Sequence, residues 1–403
     1  MKFRQAYDAA DIRLVLISDL HAYDNTSETE VKPSFLKIGD EDSSSGGNPL
    51  TDLKRLIREE TIKGDALLCM GDITDKARPI GMRYAWQKLD EIKTALGAEL
   101  LVATSGNHDC DSRYKYTDHD AKGVLQSLSP TYPFPDEGVA DHYWARNFLL
   151  IERENYRVVS LNSSAYHGMA PEEIDHGRVS VATLARLKET LSSTPERTVN
   201  ILICHHHPHS HSELGLGEDD LMKSGQQLLE LLGSGEYGRW IVAHGHKHHP
   251  KLTYAQGVGT APVVLACGSL SACLYPELGT NARNQFHIIC VNLDEARQHG
   301  LVGRIHTWEW TAGHGWADAQ KGSGLPAVTG FGFRCDPIQL AKQVAVFVGR
   351  KKRLLWESIR QSIPEVDFIL PAEYAVLRRQ LRATAGLEII ERDDIPFEIG
   401  RFE

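Results

Sequence analysis

Five apolar runs of strand length in this chain each stop at a residue type able to bind a metal ion. That recurrence constrains the fold more than any other feature. Residues 13–18 (RLVLIS) run into Asp19, residues 66–70 (ALLCM) into Gly71-Asp72, and residues 99–104 (ELLVAT) into Gly106-Asn107-His108. Residues 199–204 (VNILIC) end at His205 and residues 240–243 (WIVA) at His244. Runs this continuously apolar belong to sheets covered on both faces. Helical periodicity lies between them, near 51–62, 80–97, 180–193 and 222–233, and predicts an α/β domain. Ligands of such domains collect at the carboxyl ends of strands, which is where each polar stop falls.

At 403 residues the chain has room for a large catalytic domain and an additional piece. A net charge of −10 argues against a surface-wide affinity for nucleic acid. The seven cysteines include no C-x-x-C pair and read as thiols buried in strands, which fits a reducing compartment. No apolar stretch is long enough to span a bilayer and no signal peptide is visible, so a cytoplasmic protein without membrane association is expected.

Five short motifs occur in order: Asp19-Leu20-His21, Gly71-Asp72-Ile73-Thr74-Asp75, Gly106-Asn107-His108-Asp109, His206-His207-Pro208 and Gly245-His246-Lys247-His248. Each alone is weak; all five at strand ends are a strong signal, because unpaired acids and histidines rarely cluster at buried positions. Carboxylate and imidazole suit Mn, Fe or Zn ions, and thiolates are missing from the motifs. Alternate residues of an extended D-x-H or H-x-H point to one side and can reach one site. One aspartate bridging two divalent ions holds them about 3.5–4 Å apart, a spacing that suits a phosphate ester attacked by a shared hydroxide.

This order of motifs resembles the calcineurin-like metallophosphoesterase superfamily over residues 14 to about 293. The resemblance implies a four-layer α/β/β/α sandwich of two mixed sheets with a dinuclear metal site at strand ends. It implies that Asp19, His21 and His248 hold one ion, that Asn107, His206 and His246 hold the other, and that Asp72 bridges them. His108 would be the general acid and Asp75 the carboxylate that orients it. His205 is the neighbouring candidate for the role given to His206, which follows from the fit of His206-His207-Pro208 to the family pattern. Histidines 207, 209, 211, 244 and 249 are expected around the ligands or in solvent.

Departures from the pattern narrow the branch. Lys76-Ala77 stands where the phosphoprotein phosphatases have Arg-Gly, and Asp75 where the purple acid phosphatases have tyrosine. The remaining pattern looks most like the cyclic-nucleotide and glycerophosphodiester phosphodiesterase branch, and it overlaps the repair nucleases.

Beyond the motifs, residues 22–50 and 110–145 read as polar surface insertions that screen the site. Domain boundaries are expected at 1–312 for the catalytic domain, 313–338 for a Gly-rich linker and 339–403 for a helical C-terminal extension. In the extension Leu340, Val344, Phe347, Val348, Leu355 and Ile359 form one apolar stripe, expected to pack on the body or on a second subunit. Residues 339–382 carry nine Lys/Arg against four acids, read as a solvated helix face.

Three functions follow. The first is a metal-dependent hydrolase of a phosphodiester or phosphomonoester, small or nucleotide-like. The second is a nuclease, disfavoured by the acidic body because duplex binding rests on phosphate neutralisation. The third is a non-catalytic metal-binding scaffold, disfavoured because every ligand type and His108 are present.

Overall fold

The computed structural model describes residues 7–24, 32–39, 44, 46–115, 120–174, 176–210, 220–257, 259–275, 278, 282–392 and 394–401. Strands β1 (Ile12–Ile17), β2 (Ala66–Cys69) and β3 (Leu100–Ala103) come first in the chain. Then follow β4 (Phe148–Glu152), β5 (Tyr156–Leu161), β6 (Val199–Ile203), β7 (Trp240–His244), β8 (Lys251–Tyr254) and β9 (Val263–Ala266). The chain returns through β10 (Asn284–Val291), β11 (Gly303–Thr311), β12 (Gly315–Asp318) and β13 (Val328–Phe331). It closes with β14 (Arg353–Leu355), β15 (Leu387–Arg392) and β16 (Ile395–Arg401).

Two mixed sheets result. The first has the order β12-β11-β10-β1-β2-β3, with β13 also paired to β11; the second has the order β4-β5-β6-β7-β9-β8. β1, β2 and β3 are mutually parallel, as are β5, β6, β7 and β9. The strand alternation explains the layering. Leu14, Leu16, Leu68 and Val102 of the first sheet meet Val158, Ile201, Ile203 and Leu265 of the second in one core between the sheets. Val15, Ile17, Leu67 and Leu101 point the other way, onto helices α1 (Pro49–Glu59) and α2 (Pro79–Leu96).

The 110–145 region contributes α3 (Ala121–Gln126) and α4 (Glu137–Arg146). The outer face of the second sheet, with Val159, Leu202 and Val242, is covered by α5 (Val181–Ser193) and α6 (Gly225–Gly233). The order is α/β/β/α, as expected. None of the described helices is long and apolar enough to cross a membrane.

Three expectations need correction. The stretch 313–338 is not a linker, because β12 and β13 both pair with β11 inside the first sheet; its glycines serve turns between short strands. The 110–145 insertion is not only surface loop, since α4 buries Tyr143, whose hydroxyl accepts from Ser105 N at 2.9 Å behind the Asn107 loop. The C-terminal extension is not purely helical. After α7 (Leu293–His299) come α8 (Pro337–Val348), α9 (Trp356–Ser362) and α10 (Pro371–Ala385), packed with the antiparallel sheet β14-β16-β15. Leu340, Val344, Val348 and Ile359 of the stripe are buried in the extension's own core with Leu377, Leu381 and Ile399, while Leu355 is exposed. The stripe is thus satisfied chiefly within the extension. The extension docks on the body at Gly330, where a Cβ would lie 2.0 Å from Asp367 O.

Candidate metal centre

The five polar stops meet at one edge of the two-sheet sandwich. β1 and β2 continue pairing past their ends, with Asp19 N donating to Gly71 O at 3.0 Å and His21 N to Asp72 O at 2.9 Å. This sets the D-x-H segment against Asp72. Gly106 brings the third loop close, since a Cβ there would lie 2.1 Å from Asp72 Oδ1. Asp109 clamps the loops together, accepting from Ile73 N, Thr74 N and Gly106 N at 2.9, 3.1 and 2.8 Å. From the second sheet, Gly245 N donates to His205 O at 3.1 Å, pairing the two histidine-bearing loops.

Asp19, His21, Asp72, His246 and His248 all adopt positive φ, between 50° and 83°. Side chains avoid this region, at a cost of order 1–3 kcal/mol each, and such strain gathers at functional sites. Here it turns the side chains inward at the point where the strands end.

Two donor sets result. In the first, His21 Nε2 lies 3.1 Å from His248 Nε2, which is 3.3 Å from Asp19 Oδ1. In the second, Asn107 Oδ1 lies 3.1 Å from His205 Nε2 and 3.0 Å from His246 Nδ1. Asp72 Oδ2 stands between them, 3.7 Å from His21 Nε2 and 3.3 Å from His205 Nε2. Its other oxygen accepts from His108 N at 2.8 Å.

In the second set His205 faces Asp72, while the expected ligand His206 lies in the same group with His205 and His246. Ile201 and Ile203 point between the sheets, whereas Leu202 and Cys204 point out toward the helices. His205 continues the inward series. Its Nδ1–H donates to Met70 O at 2.7 Å, which turns Nε2 toward Asn107 Oδ1 at 3.1 Å and Asp72 Oδ2 at 3.3 Å. Once Nε2 gives up its proton, these three atoms would be electron-pair donors converging on one cation.

His206 also has hydrogen-bond partners of its own. Ser163 Oγ accepts from the backbone N–H groups of His205 and His206 at 3.2 and 3.3 Å, leaving its hydroxyl proton for His206 Nδ1 at 2.9 Å. His206 Nε2–H then donates to His167 Nε2 at 3.1 Å, and His167 Nδ1–H to Glu173 O. Both ring nitrogens of His206 and of His167 have a partner in this relay. One ring nitrogen of His206 still lies within 4.8 Å of donor atoms on His205 and His246, so His206 lines the second set.

The charge pattern agrees with a cation site. Burial opposes protonation of His205, yet the Asp72 carboxylate outweighs it and pushes the imidazole up to about 9. Burial and the neighbouring imidazoles, His108 foremost, hold His21 well below the usual range. Burial would raise Asp72, but His205 and His108 bring its carboxyl well below the usual carboxylate range. Asp109 is pushed up to about 7, by burial first and then by Asp72. A divalent cation would replace the proton on His205 and neutralise the crowded carboxylates.

His108 differs from the ligand candidates. Its side chain is 22% exposed, at the mouth of the centre, and its Nδ1 is 3.0 Å from Asp75 Oδ1. Burial would lower it, but the Asp72 and Asp75 carboxylates raise it above the ordinary histidine value. The extra histidines divide: His207 and His244 are buried with ring centroids 4.4 Å apart, and His209 and His249 are half-buried. His211 lies outside the described residues, as do parts of the 22–50 insertion. Sequence reading did not single out His167 or the clamping role of Asp109. For Asp109 the only signal was its place directly after Asn107-His108.

The chain belongs to the calcineurin-like phosphoesterase family, whose family model matches residues 12–250. It is therefore a member of a family of metal-dependent phosphate-ester hydrolases. Among solved structures it is similar to the purple acid phosphatase PPD1 from yellow lupin seeds, at 12% identity and a TM-score of 0.49 over 79% of this chain and 53% of that one. It is also similar to PhoD, at 10% identity and a TM-score of 0.48 over 80% of this chain and 70% of that one. A putative 5'-nucleotidase from Staphylococcus aureus gives 12% identity and a TM-score of 0.39 over 78% and 54%. The chain spans about half the length of the lupin enzyme and of the nucleotidase. No curated protein matches the sequence.

Proposed function

We propose that the chain hydrolyses a small phosphodiester or phosphomonoester, with His108 as general acid. The observation that carries this reading is the shared position of Asp72 Oδ2 between two donor sets, 3.7 Å from His21 Nε2 and 3.3 Å from His205 Nε2. Asp19, His21 and His248 would hold one divalent ion, Asn107, His205 and His246 the other, and Asp72 both. Such a pair polarises the phosphoryl oxygens and acidifies the attacking water.

The remaining chemistry belongs to the chain itself. Asp75 accepts the Nδ1 proton of His108, which fixes the tautomer and favours the imidazolium. His108 Nε2, the ring nitrogen turned away from Asp75, then has a proton to deliver to the departing alkoxide. The backbone N–H of His108 holds Asp72 Oδ1 and so couples the acid to the metal ligand.

A substrate panel with Mn²⁺-loaded protein tests this reading: bis-p-nitrophenyl phosphate, p-nitrophenyl phosphate, a glycerophosphodiester, cyclic nucleotides and single-stranded DNA. Turnover of the small esters is expected, with chelation abolishing it. Cleavage of DNA alone would replace the reading with that of a nuclease. Absence of turnover on every substrate with two ions bound would support a scaffold.

A further inference from the structure

We propose that Tyr275 is the platform on which a flat ring of the substrate, a nucleobase or an aryl group, stacks while its phosphate occupies the Asp19–Asp72 centre. The proposal rests on the phosphoesterase reading above and narrows its substrate class.

Tyr275 is 58% exposed, yet it stands on an anchored segment. Three bonds pin the residues before it to the D-x-H strand end: Ser269 Oγ donates to Asp19 O at 2.7 Å, Leu270 N to Ser18 O at 2.8 Å and Ser271 Oγ to Leu20 O at 2.5 Å. The phenol ring lies parallel to the imidazole of His248, within 7°, with centroids 5.9 Å apart. The phenol ranges alongside the imidazole, and more than half of the Tyr275 surface is exposed among the described residues.

His248 Nε2 is 3.3 Å from Asp19 Oδ1, so the open ring adjoins the first donor set. A substrate with its phosphate at that set would place a ring joined through a ribose or short linker on the Tyr275 side of His248. An aromatic face at a carboxylate-rich mouth recognises a π-system by stacking and is tolerant of which base it receives.

The test compares wild type, Tyr275→Ala and Tyr275→Phe on three esters: a nucleoside 2′,3′-cyclic phosphate, phenyl phosphate and glycerophosphocholine. Binding of AMP is measured alongside by calorimetry. Loss of a stacking partner should lower the kcat/KM ratio of ring-bearing to alkyl substrate about tenfold in Tyr275→Ala. It should weaken AMP to a similar extent, and Tyr275→Phe should retain both. An equal fall on all three esters in Tyr275→Ala would assign Tyr275 to support of His248 and overturn the proposal. A loss in Tyr275→Phe matching that in Tyr275→Ala would assign the effect to the hydroxyl and overturn it equally. If wild type cleaves none of the esters, the phosphoesterase reading fails by itself. AMP binding weakened by Ala and preserved by Phe would then still uphold the platform, and AMP binding insensitive to both would remove it.

Discussion

His205 Nε2, carried at the end of β6 in the second sheet, lies 3.3 Å from Asp72 Oδ2, carried just past β2 in the first. The donor set therefore exists only where the two sheets meet. It depends on the core between them, where Ile201 and Ile203 pack with Leu68 and Leu16. Anything that shifts one sheet against the other separates the donor atoms of His205, His246 and His248 from those of Asp19, His21, Asp72 and Asn107.

Metal content should separate the adjacent histidines. His205→Ala is expected to reduce bound metal from two ions per chain to one, as measured by elemental analysis after Mn²⁺ saturation. His206→Ala should keep two, because its ring is committed to Ser163 and His167. The opposite pattern would return the ligand role to His206.

His108→Ala should keep its metals and lower turnover by roughly 10²–10⁴, the range for loss of a general acid. The loss should be smaller for p-nitrophenyl esters, whose leaving groups need little protonation. Asp75→Asn should give a partial version of the same effect, since it removes the acceptor 3.0 Å from His108 Nδ1. An equal loss on alkyl and p-nitrophenyl esters would count against the proton-donor role.

Stability should fall in mild acid through His287. Its Nε2–H donates to Cys267 O at 2.9 Å and its Nδ1 accepts from Thr307 Oγ1 at 2.9 Å, so the folded site holds a neutral ring. Burial pushes the imidazole down to about 4, despite the bond to Cys267. Because the unfolded chain binds the proton first, the contribution is complete above about pH 6.5 and is lost as pH falls through about 4. The full effect is on the order of 3 kcal/mol. Buried His306, pushed down to about 3 by burial and then Arg304, acts in the same direction. Melting temperatures of the chelated protein from pH 7 to 4 should fall more steeply for wild type than for His287→Gln. Equal slopes would remove His287 as a source.

Asp367 joins the extension to the body, with Oδ2 3.0 Å from an Arg304 guanidinium nitrogen and 2.6 Å from Arg360 Nε. Asp367→Asn leaves two half-buried guanidiniums without their shared anion. A loss of about 1–3 kcal/mol is expected by denaturant titration. Retention of wild-type stability would show that the Gly330 contact and Phe368 hold the extension unaided.

The periodic signals were legible in the sequence. Helices expected near 51–62, 80–97, 180–193 and 222–233 appear at Pro49–Glu59, Pro79–Leu96, Val181–Ser193 and Gly225–Gly233, because a helix shows its apolar face locally. The strand ends and their ligand residue types were also legible, since each apolar run stops within a few residues of an Asp, Asn or His. Chain order and residue type thus determined the family, the α/β/β/α layering and most of the donor set. What only the tertiary structure decided is which neighbour faces inward and what partners a weak segment finds. That His205 faces Asp72 depends on strand phase relative to the opposite sheet and on the bond to Met70 O, a residue distant in sequence. The Gly-rich 313–338 stretch became strand because β11 offered it edges on which to pair, which local composition cannot reveal. Tyr275 became a candidate for substrate contact only when folding set its ring beside His248. Propensity and pattern act over a few residues, while pairing and orientation are properties of surfaces that exist only once the chain has folded.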